Sequence, residues 1–376
     1  MQAAFFFSRR TLDFRYGPDH PFEVERLADV LRFCSALELL PYEGSPVEFP
    51  PCTRQELERF HVPPYVDALE RAETLPIRQQ FAWGLGSGDN PVFPGLWEAC
   101  LLTGGGSLSA ARWLIEGLTR GERRVAFHPA GGLHHAHADR ASGFCYVNDG
   151  VLAIQELVAA GHKTLYVDVD AHHGDGVQEA FYDSDRVLTV SVHQDGRTLF
   201  PGTGFPNEIG RGAGTGYAVN VPLMPGADDY EYDLFREEIL APLSEGFSPD
   251  VVVTEIGVDS LRDDPLTFLD WTLAGLGRFL DWVASSGLPW LALGGGGYRR
   301  WNVIRGWSLV WARMRDAELP RTRPLSDAAG MLPESWPIQI WDEPPPRAIC
   351  DPTLRRAHLD EVRSVLERLV FPRVCG

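Results

Sequence analysis

The chain is poor in lysine, in paired-cysteine motifs and in long apolar runs, and each scarcity narrows what it does. Lys163 is the only lysine among 34 basic residues, a composition bias without mechanistic content. Acidic residues number 52, which leaves a formal net charge of −18. Such a charge disfavours nucleic acid and anionic membrane as partners and suits cationic ones, although most of its effect is on solubility. The six cysteines (Cys34, Cys52, Cys100, Cys145, Cys350, Cys375) are scattered without a Cys-x-x-Cys pair, as free thiols of a reducing compartment would be. No apolar stretch approaches the ~20 residues of a membrane span, and the one near the N-terminus is too short for a signal sequence. A soluble cytoplasmic protein is the expectation. No internal repeat, low-complexity tract or interdomain linker stands out.

What is present is a large potential core, with 44% hydrophobic residues, 11 Trp and 20 Phe. Five segments read as buried strands, at 124–127, 164–167, 187–192, 251–256 and 290–293, each running into polar or glycine-rich residues. Helical patterns lie between them, for example at 151–160, 228–243 and 268–285, and an amphipathic closing helix is expected at 354–370. Proline-rich stretches at 62–64 and 342–347 read as surface loops. This alternation predicts an α/β fold, one domain spanning 1–376, with a mostly parallel sheet and helices on both faces. The expected motif-bearing core is about 17–314, with 315–376 packing on it. The reactive residue types then gather at the carboxyl edge of the sheet.

The segment Leu165-Tyr166-Val167-Asp168-Val169-Asp170-Ala171-His172-His173-Gly174-Asp175-Gly176 carries the strongest signal. It begins as a strand and breaks into carboxylates, imidazoles and glycines. Asp170 and His172 are two apart, so on an extended backbone they leave one face and suit a single divalent ion. Eight of the eleven histidines (His128, His134, His135, His137, His162, His172, His173, His193) fall between 128 and 193, which favours a site over scattered structural histidines.

Six motifs occur in the order found in the histone deacetylase superfamily. They are Gly131-Gly132-Leu133-His134-His135-Ala136, Ser142-Gly143-Phe144-Cys145-Tyr146-Val147-Asn148-Asp149, the Asp168–Gly176 segment, Phe200-Pro201-Gly202-Thr203-Gly204, Gly257-Val258-Asp259-Ser260 and Gly294-Gly295-Gly296-Gly297-Tyr298. The chain most resembles the bacterial acetoin-utilisation (AcuC-type) branch, related to the class I enzymes. The resemblance extends from about Gly17 to slightly beyond Tyr298.

The resemblance implies an arginase/deacetylase-like fold and an amidohydrolase that releases acetate from an N-acetylated lysine. Asp170, His172 and Asp259 are the expected metal ligands. Three protein ligands leave open positions for water and substrate, as in catalytic zinc sites, whereas a closed structural site favours cysteine. Zinc is the default, and ferrous iron suits the same ligands. His134 and His135 face the attacking water, oriented by Asp168 and Asp175, with His135 favoured as base. Tyr298, after four glycines, is the oxyanion donor; the rival reading of those glycines as a phosphate loop fails because no Lys-Ser or Lys-Thr follows. Phe144 and Phe200 flank a lysine stem beside Gly143, Asp89 binds substrate backbone at the rim, and Leu266 lines the pocket. A structural potassium ion is implied at Asp168, Asp170, His172, Ser191 and Val192, and a second monovalent site at Phe181, Ser184, Val187 and Tyr217. Arg26 resembles an arginine that supports the glycine loop.

The chain departs from relatives at Leu133, Leu266 and Gly88, which reshapes pocket and entrance and leaves the substrate open between acetyl-lysine peptides or proteins and a small acylated amine such as an acetylpolyamine. Two other classes compete. A ureohydrolase would need further ligands for a second metal, yet position 257 is Gly and Leu133 stands where those enzymes carry Asp. A silent reader of acetylated ligands would have lost a ligand or Tyr298, and neither is missing.

Overall fold

The computed structural model describes residues 1–40, 46–327, 330–342 and 350–376. Its centre is a seven-stranded, all-parallel sheet. The strands are β1 (Gln2–Phe5), β2 (Arg124–His128), β3 (Thr164–Asp168), β4 (Val187–Gln194), β5 (Ala218–Leu223), β6 (Val251–Glu255) and β7 (Trp290–Leu293). Their order across the sheet is β1-β2-β7-β6-β3-β4-β5. The five strands read from sequence are all present. The apolar N-terminal run is β1, an edge strand pairing with β2. The other edge, β5, accommodates Pro222, which a central strand would not.

Alternate strand residues feed two cores, as the period of two requires. Phe127, Val167 and Val252 pack with helices Glu25–Ala36, Leu273–Ser285 and Arg300–Met314. Ala126, Tyr166 and Val253 pack with helices Leu96–Arg120 and Asp149–Ala159. The sheet is therefore covered on both faces. The expected closing helix is Pro352–Leu369; its Leu359, Val362 and Leu366 join the first core, and His358 Nε2 donates to Pro222 O over 2.9 Å. All six cysteines are unpaired, and no helix among the described residues is long and apolar enough to cross a membrane.

Three local readings are corrected. The stretch 62–64 is not a loop: Val62 precedes helix Pro63–Glu70, where the prolines occupy positions that need no N–H donor. The helix expected at 268–285 begins only at Leu273, because Thr272 caps it by accepting from Gly275 N, while 268–271 runs extended and bridges Asp228 and Leu261. The pattern at 228–243 is helical to Phe247 but opens into a π-helical stretch, Phe235–Leu240, just ahead of Pro242, whose ring forbids a regular turn. The expected loop at 342–347 lies outside the described residues apart from Asp342.

Candidate active site

The four central strands β2, β7, β6 and β3 end beside one another, and the loops that follow them converge. The loop after β2 carries His134 and His135. Asp149 anchors it by accepting from Gly132 N (3.1 Å), Leu133 N (2.9 Å) and the Ser107 hydroxyl. Asn148 caps helix Asp149–Ala159 and donates to His134 O (3.1 Å) and Ala136 O (3.0 Å). These two residues thus pin the histidines from behind.

Each imidazole is backed by a carboxylate. His134 Nδ1 lies 2.8 Å from Asp168 Oδ2, and His135 Nδ1 lies 2.8 Å from Asp175 Oδ1. Both Nδ1 atoms donate, since a carboxylate only accepts. The two Nε2 atoms are 3.0 Å apart, a hydrogen bond only if one of them carries a proton. The two rings are thus close enough to pass a proton between them. Burial pulls both rings down, but the charges of Asp168 and Asp170 push His134 up to about 9. Burial together with the charge on His134 lowers His135 to about 4. Of the two rings, His134 holds a proton the more readily and His135 is the readier acceptor. Asp175 is itself braced by His137 Nε2 at 3.3 Å, and Tyr166 donates to Asp168 Oδ2 over 2.7 Å.

Asp170, His172 and Asp259 form a buried cluster whose ligand atoms lie within 4.8 Å of one another. His172 Nδ1 is 3.1 Å from Asp170 Oδ1 and 3.0 Å from Asp259 Oδ2. Burial opposes charge on His172, yet its bonds to the two carboxylates raise it to about 10. Two buried carboxylates thus converge on one imidazole, a set of groups that could hold a metal ion. Backbone donors fix the carboxylates: Ala171 N reaches Asp259 Oδ1 (2.8 Å) and Gly296 N reaches Asp170 Oδ2 (2.8 Å). A Cβ at Gly296 would sit 2.2 Å from Asp259 Oδ2, and one at Gly257 only 1.9 Å from Asp170 Oδ2. No side chain fits at 257, which removes the carboxylate that a ureohydrolase would place there. Two oxygens and one imidazole nitrogen, all buried and convergent, suit a divalent zinc or iron ion.

Tyr298 ends the glycine loop after β7. The buried Arg26 guanidinium donates to Gly297 O (2.7 Å) and Gly295 O (2.9 Å), and Asp264 accepts from Tyr298 N (2.8 Å) and Arg299 N (3.2 Å). Burial, then the charges of Asp259 and Asp170, raises the Tyr298 phenol well above its ordinary value, so it stays a donor. Its ring meets Phe144 edge-on at 5.7 Å. Phe200, 45% exposed, stands over His135 at 5.0 Å. Gly143 is wedged between them, since a Cβ there would approach His135 to 2.5 Å and Phe200 to 2.8 Å. Phe200 thus packs on His135 and Phe144 on Tyr298, with Gly143 next to Phe144 in the chain and against Phe200 in space.

Asp89 is exposed, and His20 Nε2 donates to its carbonyl over 3.2 Å, so the 88–90 turn is tied to the mouth beside Phe144. Gly88 faces open space. Leu266 is half-buried, with its N–H on Asp264. Leu133 borders an interior cavity with Tyr16, Phe22, Arg26 and Tyr146. Of the residues implied for monovalent ions, Ser191 is the cross-strand partner of Asp168, and Val192 follows it on β4. Phe181, Ser184, Val187 and Tyr217 cluster at the opposite end of β4. Of the clustered histidines, His128 is committed to Phe6 O (3.0 Å) and His193 to Ser191 and Gly204, so both are structural.

With this geometry established, similarity to known proteins decides the family. The histone deacetylase domain profile matches residues 20–314. The chain belongs to the histone deacetylase family. It is 38% identical over 334 residues to histone deacetylase RPD3 of Saccharomyces cerevisiae, covering 87% of this chain and 75% of that protein. Histone deacetylase B of Dictyostelium discoideum is 40% identical over 335 residues, 87% of this chain and 76% of that one. The crystal structure of a histone deacetylase homologue from Aquifex aeolicus superposes with a TM-score of 0.84 at 31% identity, over 96% of this chain and 100% of that one. A homologue complexed with SAHA matches equally well, at 0.84. Hydrolytic deacetylation is the chemistry of this histone deacetylase fold. Sequence reasoning gave no role to Asp149 or Glu255, and none to His137 beyond its place in the histidine-rich stretch; the Asn148-Asp149 pair was the one available signal for the first.

Proposed function

We propose that this chain is a metal-dependent lysine deacetylase, hydrolysing the amide of an N-acetylated lysine in a peptide or protein and releasing acetate, in the cytoplasm. One observation carries the reading: a convergent Asp170–His172–Asp259 cluster adjoins two carboxylate-backed imidazoles whose Nε2 atoms are 3.0 Å apart. A bound zinc ion, or ferrous iron, supplies a Lewis acid that lowers the pKa of water and polarises the acyl oxygen.

The protein's own groups do the rest. His135 takes the proton of the attacking water, with Asp175 holding its Nδ1–H. His134, steadied by Asp168, holds a proton more readily than its neighbour and returns a proton to the leaving amine through the pair. Such transfers contribute about 10²–10⁴-fold. The Tyr298 hydroxyl donates to the tetrahedral oxyanion. Phe144 and Phe200 enclose the methylene stem, Gly143 gives the passage its width, Leu266 borders it, and Asp89 accepts from substrate backbone at the rim. A structural potassium ion is assigned to Asp168, Asp170, His172, Ser191 and Val192, and a second monovalent ion to Phe181, Ser184, Val187 and Tyr217. Its motifs support a place in the acetoin-utilisation branch.

A small cationic substrate is the second reading, favoured by the open space at Gly88 beside an exposed Asp89 and by the net charge of −18. A panel of acetyl-lysine peptides, acetylpolyamines and longer acyl-lysines on metal-loaded enzyme separates the two. Highest kcat/KM on acetyl-lysine peptides supports the first; a preference for acetylpolyamine replaces it with the second, and turnover of neither removes both.

A further inference from the structure

We infer that His137 is a positioning residue for the proton-transfer step: standing as a cation between Asp175 and Glu179, it fixes Asp175 behind His135 and offsets part of its charge. This deepens the deacetylase reading above and rests on it. Asp175 and Glu179 are four apart on the helix Asp175–Phe181, so both carboxylates leave one face a turn apart. Like charges at that spacing repel, and a cation between them removes the cost. The buried His137 ring fills that place. Its Nδ1 donates to Glu179 Oε2, and its Nε2 is 3.3 Å from Asp175 Oδ2. An ionised carboxylate only accepts, so a ring between two of them donates from both nitrogens. Burial opposes charge on the ring, but Asp175 and Glu179 raise it to about 9 against a smaller push from Arg140. The bond from His137, against burial, lowers the Glu179 carboxyl. Burial opposes ionisation of Asp175 too, yet His135 and His137 hold its carboxyl below the ordinary range.

The ring is held from its backbone. Its N–H donates to Arg140 O (3.0 Å), and its carbonyl lies 3.0 Å from His61 Nδ1. The helix that carries both carboxylates is locked to the same loop. Gly176 N donates to His134 O over 3.1 Å, and a Cβ at Gly176 would lie 2.4 Å from Ala136 O. The other charged groups around the ring are committed elsewhere. Arg140, Glu208 and Arg211 line the open cavity that His137 borders. Arg140 pairs with Asp139, Arg211 pairs with Asp183, and Glu208 accepts from Gly204 N and Phe205 N, each at 3.1 Å. The two histidine–carboxylate couples therefore differ in what stands behind the carboxylate. Asp168 Oδ2 accepts from His134 and from the Tyr166 phenol, which burial keeps neutral. Asp175 accepts from His135 at Oδ1 and faces the His137 ring at Oδ2. Asp168 thus turns its charge on one imidazole, whereas Asp175 divides its charge between two. That difference favours His135 as the proton acceptor and gives His137 a part in setting it.

Three variants of the metal-loaded full chain test this on an acetyl-lysine peptide. His137→Leu removes donor and charge, His137→Gln keeps a donor without charge, and His137→Lys keeps a charge. The Leu variant should lose roughly tenfold in kcat, a modest part of the about 10²–10⁴-fold that a positioned base contributes, with KM and metal content little changed. The Lys variant should recover most of that loss and the Gln variant should not. Native kcat in the Leu variant overturns the role. Recovery by Gln overturns the part played by charge. A kcat that falls together with melting temperature or metal content, without recovery by Lys, overturns positioning in favour of a purely structural bond. Nitrogen-15 spectra of the histidine-labelled native protein should show His137 protonated at both ring nitrogens at neutral pH, a reading that needs no variant to fold; one bare nitrogen overturns the cation. A metal-loaded native protein that turns over no acetyl-lysine peptide overturns the deacetylase reading instead, and the spectrum still decides the charge on His137.

Discussion

Replacing Tyr298 with Phe removes one oxygen from the site and little else. The backbone on which the ring sits is fixed without the hydroxyl, by Arg26 on Gly295 O and Gly297 O and by Asp264 on Tyr298 N. The edge-on contact with Phe144 survives, because it involves the ring alone. The metal-ligand cluster is bonded to Ala171 N and Gly296 N and does not include Tyr298. The loss is then one transition-state donor, about 2.7–4 kcal/mol, or roughly 10²–10³-fold in kcat. KM should change little, since the missing bond forms chiefly as the carbonyl becomes an oxyanion. The assay is acetate release from an acetyl-lysine peptide across a substrate series, with metal content and melting temperature measured on the same preparations. A variant with kcat within threefold of the native protein refutes the oxyanion role. A variant that loses activity together with its metal refutes the claim that Tyr298 acts apart from the cluster.

Asp259→Ala should abolish stoichiometric metal binding, read by elemental analysis, and full occupancy would remove Asp259 from the ligand set. A hydroxamate should inhibit competitively and lose potency on Asp259→Ala protein, because its two oxygens need the open metal positions; equal binding to that variant counts against the site. Arg26→Met deletes two charge-assisted bonds to the glycine loop, each worth at least about 1.5 kcal/mol. A stability loss of about 3 kcal/mol in chemical denaturation, with reduced kcat, is expected, and an unchanged midpoint would deny Arg26 its supporting role. Burial lowers His61 to about 4, and its neutral ring accepts from Asn148 N (3.0 Å) and faces His137 O (3.0 Å). The unfolded ring titrates near ~6.5, so this contribution is complete above that pH and is lost as pH falls toward the folded value, on the order of 3 kcal/mol in all. His61→Gln should flatten stability between those pH values, and an unaltered slope would exclude His61 as the acid-labile group.

The strands legible in the sequence were those whose apolar runs break abruptly into glycine and carboxylate, as at Val167-Asp168 and Leu293-Gly294. β1 was hidden because a short apolar N-terminal run says nothing of its partner, and β5 because Asn220 and Pro222 interrupt its pattern. Helix Leu96–Arg120 was obscured by Gly104-Gly105-Gly106, which reads as a breaker. Those glycines serve packing: a Cβ at Gly105 would lie 2.3 Å from Pro50 O. Part of the candidate site was legible because its motifs are contiguous: Asp170 and His172 declare themselves by their spacing, while the resemblance assigns His134 and His135. Glu255 and Asp149 acquire meaning only through register and loop closure. Glu255 reads as the polar end of a strand until β6 is set beside β3 and Asp168 is found at its flank. His61 lies far from any motif and meets Asn148 only in three dimensions.

The account turns on a cation seated among Asp170, His172 and Asp259. Anomalous diffraction at the zinc edge, on crystals grown with zinc and compared with chelated crystals, tests that directly. A peak in contact with all three side chains and absent after chelation is the predicted result. Zinc-replete crystals with no peak there, or with these side chains turned apart, would contradict it.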